Sequence, residues 1–240
     1  MTSIIDALQV LRYSLQDLWD EFVLLVVLNV LWSVTAFLPA LPLTFLADSE
    51  SVALVLGLTL LLALPLPIVG GGLAFVTNQV ARGKAVGWGT FFHGLRRYWA
   101  KSLLVAGGNL IALVLWASNV RFYSIILPEE WRAPILIFWL ALGLYWLTVQ
   151  IFWFPMILEL EKEQVGVALR SALAMVLITP AFSLTLLVIL ALLIILSLAL
   201  AVPVVLFTVS LLLLIGNHAT RSRLAFVQKK PYRPRSHAPS

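Results

Sequence analysis

Apolar positions run together in five long stretches, at about 22–46, 51–81, 102–120, 133–158 and 181–217, and none of the five holds an Asp, Glu, Lys or Arg. A bilayer core of about 30 Å needs about 20 apolar helical residues, so each stretch is long enough to cross. The last runs from Ala181 to Asn217, or about 55 Å as a single helix at about 1.5 Å per residue. Fitting that length into the core takes a tilt of about 57°, beyond the usual limit of about 40°. Two short spans turning near Ala201–Pro203 are the better reading, which makes six helices in three hairpins.

Shorter patterns precede the hairpins. Ile4, Leu8, Leu11, Leu15, Leu18 and Phe22 recur at i,i+3/i+4 spacing, with Asp6, Arg12, Asp17 and Asp20 elsewhere, which predicts an amphipathic helix lying in the interface before the first span. Trp88, Phe91, Phe92, Leu95 and Trp99 form a second such face before the third span. Val165–Thr179 is helix-compatible and stops at Pro180, before the fifth. The predicted fold is therefore all-α: a polytopic membrane helix bundle of three hairpins, each preceded by a cytoplasmic interfacial helix. Residues 1–21 form the N-terminal amphipathic helix and 22–219 the transmembrane domain. Residues 220–240 read as a basic, Pro-rich tail without apolar periodicity, expected to be disordered. Leu11–Arg12, Leu95–Arg96 and Leu169–Arg170 fall at similar places in the three units, whose identity is otherwise negligible.

Charge orients the bundle. The connections after the first and third spans hold Arg121 and Arg132, and the remaining 14 of the 16 Lys and Arg lie on the opposite side. By the positive-inside rule both termini are expected in the cytoplasm, with the bundle in the plasma (inner) membrane. An odd number of spans would put the six basic residues of the tail outside.

Composition narrows the function. Hydrophobic residues make up 62% of the 240 and charged residues 11%, against about 25% in soluble domains. A nucleic-acid partner is excluded as a class, although the pI is 9.8. There is no Cys, and His93, His218 and His237 lie far apart, so no metal site or cofactor is expected. Neither a removable signal peptide nor a lipidation motif is expected at the N-terminus. With no ionisable residue at central depth in the spans, neither a proton-driven pump nor an intramembrane acid–base enzyme is expected, and no catalytic residue is assigned.

Four groups of residues are candidates for function. In the second span Pro65 and Pro67 remove helical donors, and Gly70, Gly71 and Gly72 follow. That pattern serves a broken helix exposing backbone to a substrate, or a kink followed by a close-packing surface. In the fourth span Trp139, Trp146 and Trp153 repeat every seven residues beside Phe138, Tyr145 and Phe152, with Gln150 on the same face. Such a wall suits stacking a sugar or an apolar ligand, or packing against neighbours. Asn29 and Asn109 are intramembrane amides that can line the same site or bond another helix. Arg96, Arg97, Trp99 and Lys101 are placed to meet lipid headgroups. The charged stretch Glu159, Glu161, Lys162, Glu163 and Gln164 reads as a solvated turn.

Certain segments together resemble the YesL-like family of small bacterial membrane proteins. They are Leu28-Asn-Val-Leu-Trp32 with Pro39, the Pro/Gly-rich second span with Gln79-Val-Ala-Arg-Gly-Lys84, Thr90-Phe-Phe-His-Gly-Leu-Arg-Arg-Tyr-Trp99, and Ala172–Pro180. The resemblance spans about 25–217 and implies about six spans and an accessory role beside carbohydrate uptake systems, with no functional residues to carry over. The expected function is a non-catalytic component of a membrane assembly, such as one for carbohydrate uptake. A small uncoupled transporter or channel for a neutral solute, and a lipid-binding protein, are the alternatives. Expected partners are the lipid bilayer and other membrane proteins or further copies of the chain.

Overall fold

The computed structural model of the protein describes residues 2–46, 51–160 and 163–232. Its elements are α1 (Thr2–Asp20), α2 (Phe22–Phe37), α3 (Ala40–Phe45), α4 (Val52–Ala63), α5 (Pro65–Ala81), α6 (Trp88–Ile126), α7 (Glu129–Glu159), α8 (Val165–Ile178), α9 (Pro180–Leu200), a π-helical turn at Val204–Thr208, and α10 (Val209–Val227). Six helical segments are long and apolar enough to cross a membrane: α2 with α3, α4 with α5, α6, α7, α9, and the π-turn with α10. The protein is a multi-pass membrane protein built as an all-α bundle.

The long last stretch does divide in two. It turns at Ala201, whose φ of 57° leaves the helical region, and Pro203 precedes the π-turn. A separate helix precedes the spans in the first and third units, as α1 and α8. In the second unit the amphipathic segment and the span fuse into one helix of 39 residues, α6, about 58 Å long at about 1.5 Å per residue. The backbone breaks nowhere between Trp88 and Ile126, so only the change from polar to apolar surface marks where the span begins.

α1 uses its two faces in different ways. Ala7, Val10, Ser14, Asp17 and Leu18 are buried, and α1 packs against α9 and α10. Ile4, Leu8 and Leu15 point away from the protein, about half exposed, whereas Leu11 and Leu18 of the same stripe turn to the core. An apolar stripe turned outward is the arrangement an interfacial helix needs.

The core lies at one end of the bundle, where most of the charged residues are. All buried residues of α7 fall between Thr148 and Leu158, those of α5 between Val69 and Ala81, and those of α6 between Phe91 and Ser102. α4 buries none. Close packing at this basic end depends on glycine. A Cβ on Gly72 would stand 2.8 Å from the Phe91 ring, and one on Gly94 would stand 2.7 Å from Phe75, so α5 and α6 each seat the other's phenyl ring. α10 meets α7 at Gly216, where a Cβ would come within 2.9 Å of the Ile151 carbonyl oxygen.

Candidate functional site

At the basic end, α5 and α10 both change from apolar to polar residues, at Thr77-Asn78-Gln79 and Asn217-His218. α5 then stops in a Schellman motif: Gly83 sits at φ 70°, its N–H reaches Val80 O at 2.7 Å, and Lys84 N–H reaches Gln79 O at 3.0 Å. The stop fixes Arg82 beside the end of α7. There Arg82 pairs with Glu159 at 3.1 Å and donates to the Leu158 carbonyl at 3.0 Å. Asn78 donates to Glu159 at 2.9 Å and to Asn217 Oδ1 at 3.1 Å, while Asn217 donates to Thr77 Oγ1 at 3.1 Å. Arg221 completes the ring, 3.8 Å from Glu159 and donating to the Ala81 carbonyl. A single carboxylate thus ties α5, α7 and α10 together.

One residue beyond Asn217, the fully buried His218 joins α10 to α1 and to the chain after α10. Its Nε2 lies 2.8 Å from Asp17 Oδ2, and its Nδ1 meets the Tyr232 hydroxyl. With Asp17 ionised, Nε2 carries the proton and Nδ1 accepts from Tyr232, an assignment that follows from the bonding partners. Burial pushes the Tyr232 hydroxyl above its ordinary pKa. Nearer the end of α10, Arg223 pairs with Asp6 at 2.6 Å and lies over the Phe182 ring at 3.8 Å.

A second cluster pins the segment after α7 to α6. Arg97, Tyr98 and Lys101 share one helical face, and all three donate to Glu163, Arg97 at 3.1 and 2.8 Å and Tyr98 at 2.7 Å. Burial alone would raise the Glu163 carboxyl; the hydrogen bonds from Lys101, Arg97 and Tyr98 outweigh it and hold the pKa at about 2. These bonds also keep Glu163 at a φ of 48°, a conformation seldom adopted by a side chain of this kind.

The residues singled out in the sequence are arranged as follows. Asn29 donates to the carbonyls of Val204 and Val205 at 3.0 and 2.8 Å and accepts the Ser210 N–H at 2.9 Å, so it bonds the π-turn. Trp146 donates to Asn109 at 3.1 Å and Trp153 to the Val165 carbonyl at 3.3 Å, while Gln150 donates to the carbonyl of Trp146 within its own helix. Trp139 stacks on Tyr123, and its carbonyl accepts from Trp116 at 2.8 Å. The aromatic stripe is thus engaged with α6 and α8. Pro65 and Pro67 sit at the start of α5, joined to α4 through Leu64 in helical conformation, so the chain kinks there and does not unwind. Gly70 faces Trp32, Gly71 faces Ser102 and Phe154, and Gly72 faces Phe91. Arg97 and Lys101 are occupied by Glu163, whereas Arg96 and Trp99 are exposed on α6.

Two expectations change. Glu159 and Glu163 are anchors of the bundle, not parts of a solvated turn; Glu161 and Lys162 lie outside the described residues. α10 runs on to Val227 with Arg223 buried inside it, and the chain to Tyr232 packs back on the bundle, so the disordered-tail reading does not hold for 220–232. Residues 233–240 of the expected tail lie outside the described residues. The shared switch from apolar to Thr/Asn at the ends of α5 and α10 was the available signal for the network. Asp17 gave none, because it looks like any polar position of an amphipathic helix. No family model, characterised protein or solved structure matches the chain.

Proposed function

We propose that the chain is a non-catalytic subunit of a membrane assembly, held in the cell membrane with both termini in the cytoplasm. The observation that carries this reading is how little the spans cover one another. The most apolar windows of Val52–Ala81 and Trp88–Ile126 are 6% and 0% buried, and the far halves of α6 and α7 extend beyond the core. Gly57 and Gly107 on these helices face open space. Small residues on an exposed span let another helix approach closely. At the basic end the polar groups are largely paired within the chain, which makes a rigid base for the exposed hairpins. The motif resemblance to the YesL-like family supports carbohydrate uptake as the class of assembly, and the excess of basic residues at that end supports the orientation.

Affinity purification of the tagged chain from its native membranes in mild detergent, after chemical crosslinking, tests the proposal. The expected result is stable recovery of another membrane protein crosslinked through α4, α6 or α7. Recovery of the chain alone, without crosslinks from these helices, overturns it.

A further inference from the structure

Where α1 crosses the end of α10 there is a polar pocket of about 270 Å³, lined by Asp6, Gln9, Tyr13, Ser222, Arg223 and Lys230 among others. Its central side chain is unusual. Arg223 is 4% exposed, and a guanidinium presents five N–H donors. Two of these are used, by NH2 to Asp6 at 2.6 Å and to Ser222 at 3.2 Å. Nε is buried without a partner, and NH1 makes no hydrogen bond among the described residues. Phe182 holds the guanidinium plane from one side at 3.8 Å, so the group is fixed in place.

Lys230 and Tyr13 add further donors to the lining. Neither Lys230 Nζ nor the Tyr13 hydroxyl has a hydrogen-bond partner among the described residues. Lys230 is placed by a second Schellman motif: Lys229 stands at φ 54°, its N–H bonded to Phe226 O at 3.0 Å, and Lys230 N–H bonds Ala225 O at 2.9 Å. This turn sends the chain back over the pocket, where Tyr232 locks onto His218. Two cations, Arg223 and Lys230, and one carboxylate, Asp6, line the hollow, and Asp6 pairs with Arg223, which leaves the lining net positive at the basic end of the bundle.

We propose that this pocket binds a phosphate group, with Arg223 and Lys230 supplying charge and Tyr13 a neutral hydrogen bond. An arginine offering unused N–H groups and a lysine as point charge are the pair that recognises such an oxyanion. A phospholipid headgroup and a soluble phosphorylated compound carry the same chemistry. The site is independent of the assembly reading, since it needs no partner chain.

The test uses the full-length protein. Inorganic phosphate is titrated calorimetrically into detergent-solubilised protein, and binding is compared in phosphatidylcholine nanodiscs with and without phosphatidic acid. Saturable binding of either probe is expected. Lys230→Gln should weaken it about tenfold and Tyr13→Phe by less, because losing a charge-assisted bond is worth about one such factor. Lys229→Gln, one residue away and outside the pocket, should leave it unchanged. Saturation by inorganic phosphate points to a soluble ligand, and binding confined to phosphatidic acid discs points to a lipid; both support the pocket. Absence of binding by both probes overturns the proposal. So does equal weakening by Lys229→Gln and Lys230→Gln, which would reduce the effect to surface charge. Arg223→Lys is a further check, and a correctly folded Arg223→Lys protein that binds as well as wild type would also count against the site.

Discussion

Asn29→Ala tests how the break in the last hairpin is held. A π-helical turn leaves backbone groups without their regular α-helical partners, and in a membrane no water replaces them. Asn29 supplies three close bonds, to the carbonyls of Val204 and Val205 and from the Ser210 N–H, at 2.8–3.0 Å. A longer contact from Ser210 Oγ stands at 3.3 Å. Interhelical hydrogen bonds in membranes average about 0.6 kcal/mol and reach about 1.7 kcal/mol, so losing three should cost about 2 to 5 kcal/mol. The assay is reversible unfolding in mixed micelles titrated with sodium dodecyl sulfate, followed by circular dichroism. Asn119→Ala is the matched control, because Asn119 is only half-buried and its side chain bonds the Leu115 carbonyl of its own helix. That control should stay within about 0.5 kcal/mol of wild type, as expected for a surface change. Hydrogen exchange at the Ser210 amide should accelerate in Asn29→Ala. A loss no larger than that of the control, with Ser210 still protected, would refute the reasoning.

Other variants test the basic end. Asp17→Ala leaves the buried His218 Nε2–H without its acceptor and should cost about 1 to 3 kcal/mol, with α1 and the chain beyond Val227 becoming protease-sensitive together. Gly216→Ala brings a methyl against the Ile151 carbonyl, which cannot swing aside as a side chain can. It should cost about 1 to 3 kcal/mol in thermal or detergent unfolding, whereas Gly57→Ala, with open space beside it, should be neutral. Because the Glu163 pKa is lowered from 4.5 to about 2, its contribution is complete above 4.5 and is lost as pH falls through that window. Glu163→Gln should therefore be less stable than wild type near neutrality, and the difference should shrink as the pH is lowered across that range.

The spans were legible because a bilayer imposes a length and an apolar surface that composition alone can satisfy. The turn at Ala201 followed from the same arithmetic, since one helix of the whole stretch cannot fit at a normal tilt. The faces that meet were hidden. α1 packs through Ala7, Val10, Ser14, Asp17 and Leu18, while Ile4, Leu8 and Leu15 turn outward, and no periodicity separates a lipid-facing stripe from a core-facing one when both are apolar. In the spans the useful signal was inverted: small and polar residues mark helix contacts, as Gly72, Gly94, Gly216 and Asn29 do. Glu159 and Glu163 were obscure for another reason. Their partners come from helices distant in the chain, Asn78, Arg82 and Arg221 for one and Arg97, Tyr98 and Lys101 for the other. A charge run in a connection looks the same whether it is solvated or bonded until those helices are placed.

Native mass spectrometry of the chain extracted from its own membranes in mild detergent shows whether the exposed spans have a protein partner. The expected spectrum holds a complex heavier than the chain by the mass of another membrane protein, which releases both subunits on activation. A monomer carrying only lipid or a small molecule would contradict the proposal of a partner and leave the bilayer alone to cover α4, α6 and α7.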